Sequence, residues 1–211
     1  MTCVTNAARP IRICVASIAL SIAFGSVSAS LVGLSAQDQG ARRAGGTTHA
    51  SKRMTDGKEW TTANLNVNTS PSYCYDDAER NCRQYGRLYT WESAQRACQS
   101  LADGWRLPTD DEWMQLAKQY GGLGNDSADK GKASYTVLVS GGMSGFDAVP
   151  GGIRELDGKY TRLEAHGLYW TASENNPSTA PFYNFGKGSS ALYRQAAGEK
   201  QRAISVRCVK D

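Results

Sequence analysis

The sequence predicts an α+β domain in which two helices flank short mixed or antiparallel sheets and disulfides staple the fold. Three observations predict it: two segments with helical apolar spacing, several short alternating segments among 22 glycines, and an even set of cysteines after an apolar leader. A glycine-rich chain with few aliphatic residues favours turns and short strands over a helical bundle. We therefore expect one domain with one core.

The chain begins with a leader that resembles a targeting segment. Two arginines precede an apolar run over residues 13–24, and small residues follow it. This is the pattern of a secretory signal peptide. We expect a signal peptide over residues 1–36, cleaved after Ala29 or Ala36. An uncleaved anchor is the alternative, which the serines within the run disfavour.

Residues 37–53 contain no aliphatic side chain larger than alanine and cannot bury enough surface to offset chain entropy. We expect a flexible linker there and a folded domain over residues 54–211. That domain holds 18 basic and 19 acidic residues, a formal charge of −1. Its balance gives no reason to expect a nucleic-acid partner. After signal cleavage we also expect no membrane span.

Two segments have both the spacing and the start signals of helices. Thr90 can cap the first, which we expect to end near residues 103–104. Thr109 with Glu112 forms a capping box for the second, which ends at glycines 121–122. The predicted buried stripes are Trp91, Ala94, Cys98 and Leu101 in the first helix and Trp113, Leu116, Ala117 and Tyr120 in the second.

Short strands are predicted elsewhere, at 59–64, 86–90, 146–149, 167–173, 181–185, 191–195 and 203–209. In the last of these, three apolar residues alternate with Ser205 and Arg207, so we expect those two polar side chains to face water. Residues 121–145 contain seven glycines and little apolar periodicity. We expect a long surface excursion there.

Four cysteines remain after the leader: Cys74, Cys82, Cys98 and Cys208. In an exported chain an even set predicts disulfides. Three pairings are possible, and the spacing favours Cys74 with Cys82, which enclose a polar segment that needs a local staple. Cys98 then pairs with Cys208. A structural zinc site is the alternative, but no two of these cysteines have the separation of two to four residues that zinc sites use.

Seven motifs occur in order at residues 55–66, 73–77, 85–91, 104–113, 150–154, 169–174 and 205–211. They include Gly-Trp-Arg-Leu-Pro-Thr-Asp-Asp-Glu-Trp at 104–113 and Ser-Val-Arg-Cys-Val-Lys-Asp at 205–211. In this order the motifs closely resemble the Fibrobacter succinogenes major paralogous domain, a bacterial exported module. That family is similar to the C-type lectin-like fold, as is the formylglycine-generating enzyme. The resemblance implies mostly antiparallel sheets and a disulfide from a helix to the last strand.

Reacting groups are scarce. His49 lies in the linker and His166 stands alone, so neither a histidine triad nor a histidine-rich metal site can be assembled. The formylglycine-generating enzyme works through paired active-site cysteines near its C-terminal end, and no cysteine of this chain matches that pair. We therefore expect no catalytic residue, no metal site, no cofactor and no enzymatic activity.

Calcium is a candidate ligand of the acidic loop. Asp76, Asp77 and Glu79 could supply hard oxygen ligands in the stapled loop, although a solvated acidic loop is the expectation. Sugar-binding relatives of the lectin-like fold chelate calcium with a Glu-Pro-Asn or Gln-Pro-Asp tripeptide. The segment Glu174-Asn175-Asn176-Pro177 has these residue types in the wrong order. This disfavours calcium-dependent lectin activity.

The segment 169–194 combines tyrosine, asparagine and serine, a composition typical of recognition surfaces. We interpret Trp170 and Phe182 as core and expect the ligand-binding candidates to be Glu174, Asn175, Tyr183, Asn184, Tyr193 and Arg194. The last four are expected to be exposed.

The function that the sequence favours is an exported, non-catalytic module in the periplasm, at the cell surface or outside the cell. It would recognise an extracellular or envelope protein or a glycan. Two alternatives stay open. One is an enzyme of the formylglycine-generating type with an unrecognised site, and the other is a structural module of the cell envelope.

Overall fold

The computed structural model describes residues 49–211. The predicted signal peptide, both cleavage sites and the linker up to residue 48 lie outside this range. The described chain is an α+β fold with small antiparallel sheets and two disulfides. Its α-helices are α1 (Glu79–Tyr85), α2 (Trp91–Gln99), α3 (Asp110–Gln119) and α4 (Lys132–Leu138).

Ten short strands follow the chain, and none has more than nine residues. They are β1 (Ser51–Arg53), β2 (Glu59–Thr61), β3 (Ser72–Tyr73), β4 (Leu88–Tyr89), β5 (Ile153–Arg154), β6 (Tyr160–Thr161), β7 (His166–Trp170), β8 (Thr179–Gly186), β9 (Ala191–Glu199) and β10 (Val209–Lys210). Two sheets have three strands, in the orders β1-β2-β10 and β7-β8-β9. Strand pairs β3-β4 and β5-β6 complete the set. In residues 49–211 we find no helix that is long and apolar enough to cross a membrane.

The linker prediction is wrong at its C-terminal end. Residues Ser51–Arg53 form β1, which pairs with β2 from Ser51 opposite Thr61 to Arg53 opposite Glu59. All three β1 residues are exposed, so burial of side chains contributes little to this strand. Composition indicates how much surface a segment can bury, but the backbone ladder depends on a partner strand that composition does not reveal.

The second predicted helix begins as expected. Glu112 N donates to Thr109 Oγ1 at 3.2 Å, and Thr109 N donates to Glu112 Oε2 at 2.8 Å, which completes the capping box. Thr90 occupies the N-cap position of α2, but its hydroxyl lies 3.0 Å from the Ser93 hydroxyl and does not cap the helix backbone.

Two helices were not predicted. Helix α1 lies in the stapled polar segment, where it buries Asn81, Cys82 and Tyr85. Helix α4 lies within residues 121–145 and buries Leu138 completely, so the prediction of a surface excursion over that whole segment is wrong. Both helices have seven residues, too short for an apolar periodicity to stand out in the sequence.

Both predicted disulfides are confirmed. Cys74 bonds to Cys82 and Cys98 bonds to Cys208, with Cα–Cα distances of 4.9 and 5.5 Å. The second bond joins α2 to the chain just before β10 and lies in a core cluster with Trp170. A separate core cluster is centred on Trp113, which packs against a set of aromatic rings: Trp60, Phe146, Tyr169, Tyr183 and Phe185.

The prediction that Ser205 and Arg207 face water is wrong, because both side chains are fully buried. The Arg207 guanidinium donates to the carbonyl oxygens of Thr61, Phe146 and Asp147 and to Asn64 Oδ1. Desolvation lowers the pKa of this guanidinium. The backbone of residues 146–147 contacts Arg207 on the side that the alternating pattern assigned to water.

Candidate functional site

The sheet β7-β8-β9 has two different faces. Tyr183 lies opposite both Tyr169 and Arg194 in the register, so these three side chains share the face toward α3. Asn184 lies opposite Tyr193 on the other face. Because successive strand residues alternate in direction, the predicted group Tyr183, Asn184, Tyr193 and Arg194 is split between the two faces.

Tyr183 does not belong to an exposed surface, and the prediction that its side chain is exposed is wrong. Its side chain is fully buried and stacks on Trp113 with ring centroids 5.1 Å apart. Its hydroxyl donates to the Asp110 carbonyl oxygen at 3.0 Å. Burial raises the pKa of Tyr183, and the neighbouring Asp110 carboxylate raises it further. Tyr183 therefore holds α3 against the sheet.

Arg194 is half-buried and engaged on the same face. Its Nε and terminal nitrogen donate to Asp110 Oδ2 at 2.8 and 2.6 Å. These hydrogen bonds raise the pKa of Arg194 against the opposing effect of burial. The Asp110 N–H in turn donates to Ser173 Oγ at 3.0 Å. Arg194 thus fastens the first turn of α3 to β9.

The opposite face carries a different group, which we name the aromatic–amide patch: Phe182, Asn184, Tyr193 and Gln195. Asn184 faces Tyr193, and two residues along the strands Phe182 faces Gln195. The two aromatic rings therefore occupy one diagonal of a four-residue lattice, and the two amides occupy the other. The lattice measures roughly 5 by 7 Å between Cβ positions. All four side chains are half-buried.

Three polar groups of the aromatic–amide patch are unused. Asn184 Oδ1 lies 2.9 Å from His166 Nδ1, which orients the amide. Within residues 49–211, the Asn184 amide nitrogen, the Tyr193 hydroxyl and the Gln195 amide have no hydrogen-bond partner in the protein. Partly buried groups of this kind have fewer contacts with water. A hydrogen bond to an external partner would therefore lower their free energy.

Each ring of the patch lies close to a glycine, where a larger side chain would clash with it. A Cβ on Gly198 would stand 2.7 Å from Phe182 Cδ1, and a Cβ on Gly124 would overlap the Tyr193 ring. The Phe182 ring also packs edge-on against Trp170, with centroids 6.0 Å apart. Each ring therefore packs closely against the protein on one side, which restricts its movement before any ligand binds.

Glu174 and Asn175 lie in the loop between β7 and β8, and both are exposed. The Asn175 amide donates to the carbonyl oxygen of Ala196, the neighbour of Gln195, which places Asn175 at one end of the patch. Glu174 is 2.6 Å from Lys200 Nζ, so its charge is compensated within the protein. The structure thus brings Asn184 and Tyr193 together and places Asn175 beside Ala196.

Residues 46–210 match the Fibrobacter succinogenes major domain. The chain belongs to this family. No curated protein and no solved structure matches the chain.

Three residues at the candidate site of this Fibrobacter succinogenes major domain are not among the ligand-binding candidates that the sequence predicts: Phe182, Gln195 and His166. The sequence interprets Phe182 as core, which its packing against the core cluster that contains Trp170 bears out in part, and His166 as a lone histidine. A usable signal existed, because residues two apart on a strand share a face. Once the strands are paired, Phe182 is expected on the same face as Asn184, and Gln195 is expected on the same face as Tyr193.

The acidic loop of the major domain does not gather its carboxylates. Asp77 accepts a hydrogen bond from the Tyr160 hydroxyl at 2.5 Å, while Glu79 lies 3.6 Å from Arg87. Burial raises the pKa of Tyr160 to about 12, with a further contribution from Asp77. In the described part of the chain, the one group of three potential ligand side chains is Cys74, Glu79 and Cys82, whose sulfurs are bonded to each other.

Two hollows of about 420 and 450 Å³ lie near the C-terminal end of α3, and no residue of the patch lines either of them. Met114 and Leu123 line the first, and Met54, Tyr120 and Met143 line the second. Their walls are mainly apolar. The aromatic–amide patch, by contrast, collects unused hydrogen-bonding groups on a fixed backbone, which makes it the candidate site.

Proposed function

We propose that this chain is an exported, non-catalytic bacterial binding module that recognises an extracellular or envelope protein or a glycan through the aromatic–amide patch. One observation carries the proposal. Asn184, Tyr193 and Gln195 present unused polar groups beside fixed aromatic rings on one sheet face. A preorganised surface loses little conformational entropy when it binds.

The proposal of export rests on the leader and on the cysteines. Disulfides persist in oxidising compartments such as the periplasm and the extracellular space. Both cysteine pairs of the described chain are bonded, and the bond from Cys98 to Cys208 joins distant parts of the sequence. A helix-to-C-terminus disulfide over small antiparallel sheets also supports a C-type lectin-like assignment, which we extend to this chain as part of the proposal.

The absence of catalysis is likewise a proposal, and the state of the reactive groups supports it. Chemistry of the formylglycine-generating type uses paired active-site cysteines, whereas all four cysteines in residues 49–211 are in disulfides. Asp110 is held by Arg194 and Glu112 by Arg106. A structural envelope module is less well supported, because its surface would not need unused polar groups beside fixed rings.

The test is a double substitution, Asn184→Ala with Gln195→Ala, in the full-length chain. The variant and the unchanged protein are compared for binding to immobilised envelope proteins and to a glycan array. We expect at least a tenfold loss of affinity, because two hydrogen-bonding groups are removed without disturbing the core.

The matched control is Gln99→Ala with Gln115→Ala, which removes two exposed amides from α2 and α3. This control should bind like the unchanged protein. Equal binding by the patch variant and the control would contradict the proposed function.

A further inference from the structure

The aromatic–amide patch contains no charged side chain. Two basic side chains near the patch are paired within the protein. Arg194 projects from the opposite face and pairs with Asp110 at 2.6 Å, and Lys200 pairs with Glu174 at 2.6 Å. A charged ligand would gain no partner in the patch and would lose its own hydration. The surface is therefore matched to a neutral ligand.

The diagonal arrangement adds a second constraint. Each ring of the patch has an amide both across the strand pair and along its own strand, since Phe182 and Tyr193 alternate with Asn184 and Gln195. A sugar ring presents an apolar C–H face bordered by hydroxyl groups. An aromatic ring can cover that face, while an amide both donates to and accepts from adjacent hydroxyls. The patch repeats this pairing twice.

The dimensions of the patch also favour a sugar ligand. The lattice of roughly 5 by 7 Å matches one or two sugar rings. A stable protein interface covers about 800 Å² on each partner, far more than these four side chains offer.

The edge of the sheet is also unsuited to an extended peptide. Gly124 N donates to Leu192 O at 2.8 Å, and Leu192 N donates to Gly131 O at 3.1 Å. These bonds occupy the outer edge of β9 beside Tyr193, so a peptide cannot add there as a new strand.

We propose that the patch binds a neutral oligosaccharide without calcium, with sugar rings stacked on Phe182 and Tyr193 and hydroxyl groups bonded to Asn184 and Gln195. This inference rests on the proposed function and specifies its ligand. Calcium is not needed, because the binding groups are uncharged amides and aromatic rings. The nearby Glu174 carboxylate is already compensated by Lys200.

The test uses the purified full-length chain on an array of neutral oligosaccharides and of sialylated and sulfated ones, each with calcium and with EDTA. Neutral compounds that bind are then titrated in solution. We expect them to bind equally in EDTA, and we expect Tyr193→Ala and Asn184→Ala each to weaken binding about tenfold.

Two further variants distinguish a loss of binding from a loss of folding. Tyr193→Phe keeps the ring and removes only the hydroxyl, so it should weaken binding less than Tyr193→Ala. Gln115→Ala, which lies on α3, should leave binding unchanged.

The outcomes separate this inference from the proposed function. Binding only to anionic sugars, or binding that EDTA abolishes, would overturn the inference. Capture of a protein that depends on Asn184 and Gln195, with no sugar bound, would overturn the inference and leave the proposed function standing. If neither sugar nor protein binding responds to the patch substitutions, both are wrong.

Discussion

Glu112 gives a stability prediction whose size follows from its contacts. Its two carboxylate oxygens each accept a hydrogen bond from Arg106 at 2.7 Å, and one also accepts the Thr109 N–H at 2.8 Å. Lys58 lies 3.2 Å away. Burial opposes the charged form, but the bonds from Arg106, Thr109 and Lys58 outweigh it and lower the pKa of Glu112 from 4.5 to about 2.

The lowered pKa makes folding depend on pH. In the unfolded chain Glu112 takes up a proton near its ordinary pKa of 4.5, whereas in the folded chain it does so only near pH 2. Its contribution to stability is therefore complete above the unfolded pKa and is lost as the pH falls toward the folded value. At about 1.4 kcal/mol per pKa unit, the contribution is about 3 kcal/mol.

The perturbation is Glu112→Gln, which keeps the shape and removes the charge. The assay is urea unfolding followed by tryptophan fluorescence from pH 7 to pH 2. We expect the variant to be less stable by up to about 3 kcal/mol at pH 7, with the difference shrinking as the pH falls below 4.5. Glu92→Gln, an exposed position on α2, should change stability by at most about 1 kcal/mol. A difference between Glu112→Gln and the unchanged protein that stays constant down to pH 2 would refute the reasoning.

Two further predictions concern the core. Tyr183→Ala should lower the free energy of unfolding by about 3 to 5 kcal/mol, because Tyr183 is fully buried against Trp113. The half-buried Tyr193→Ala should cost less than half as much in the same urea titration, and equal losses would contradict the burial described here. Replacing Cys98 and Cys208 by alanine opens a sequence separation of 110 residues and should cost about 4 to 5 kcal/mol. A reduced midpoint in urea would show this loss, and an unchanged midpoint would contradict it.

Local features of the fold could be predicted from the sequence. The capping box at Thr109 is such a case, because a hydroxyl and a carboxylate three residues apart satisfy the free N–H groups of one helix end. Both disulfides could also be predicted, since few pairings exist for four cysteines. In each case the interacting groups are identified by residue type and spacing alone.

The candidate site could be predicted only in part. The predicted segment 169–194 contains Phe182, Asn184 and Tyr193 of the candidate site, but the sequence assigned Tyr183 and Arg194 to the same surface. Alternation along a strand states that neighbours face opposite ways. It does not state which of them faces the core, because that depends on where α3 packs.

The same distinction holds at the end of the chain. The sequence by itself determined that α3 begins at a capped turn and that a disulfide joins α2 to the chain just before β10. The burial of Arg207 depends on the tertiary structure alone, because its four acceptors belong to residues that are 60 to 146 positions away in the sequence. The tertiary structure likewise decided that Phe182 and Gln195 complete a surface with Asn184 and Tyr193, since strand pairing brings together side chains that are separate in sequence.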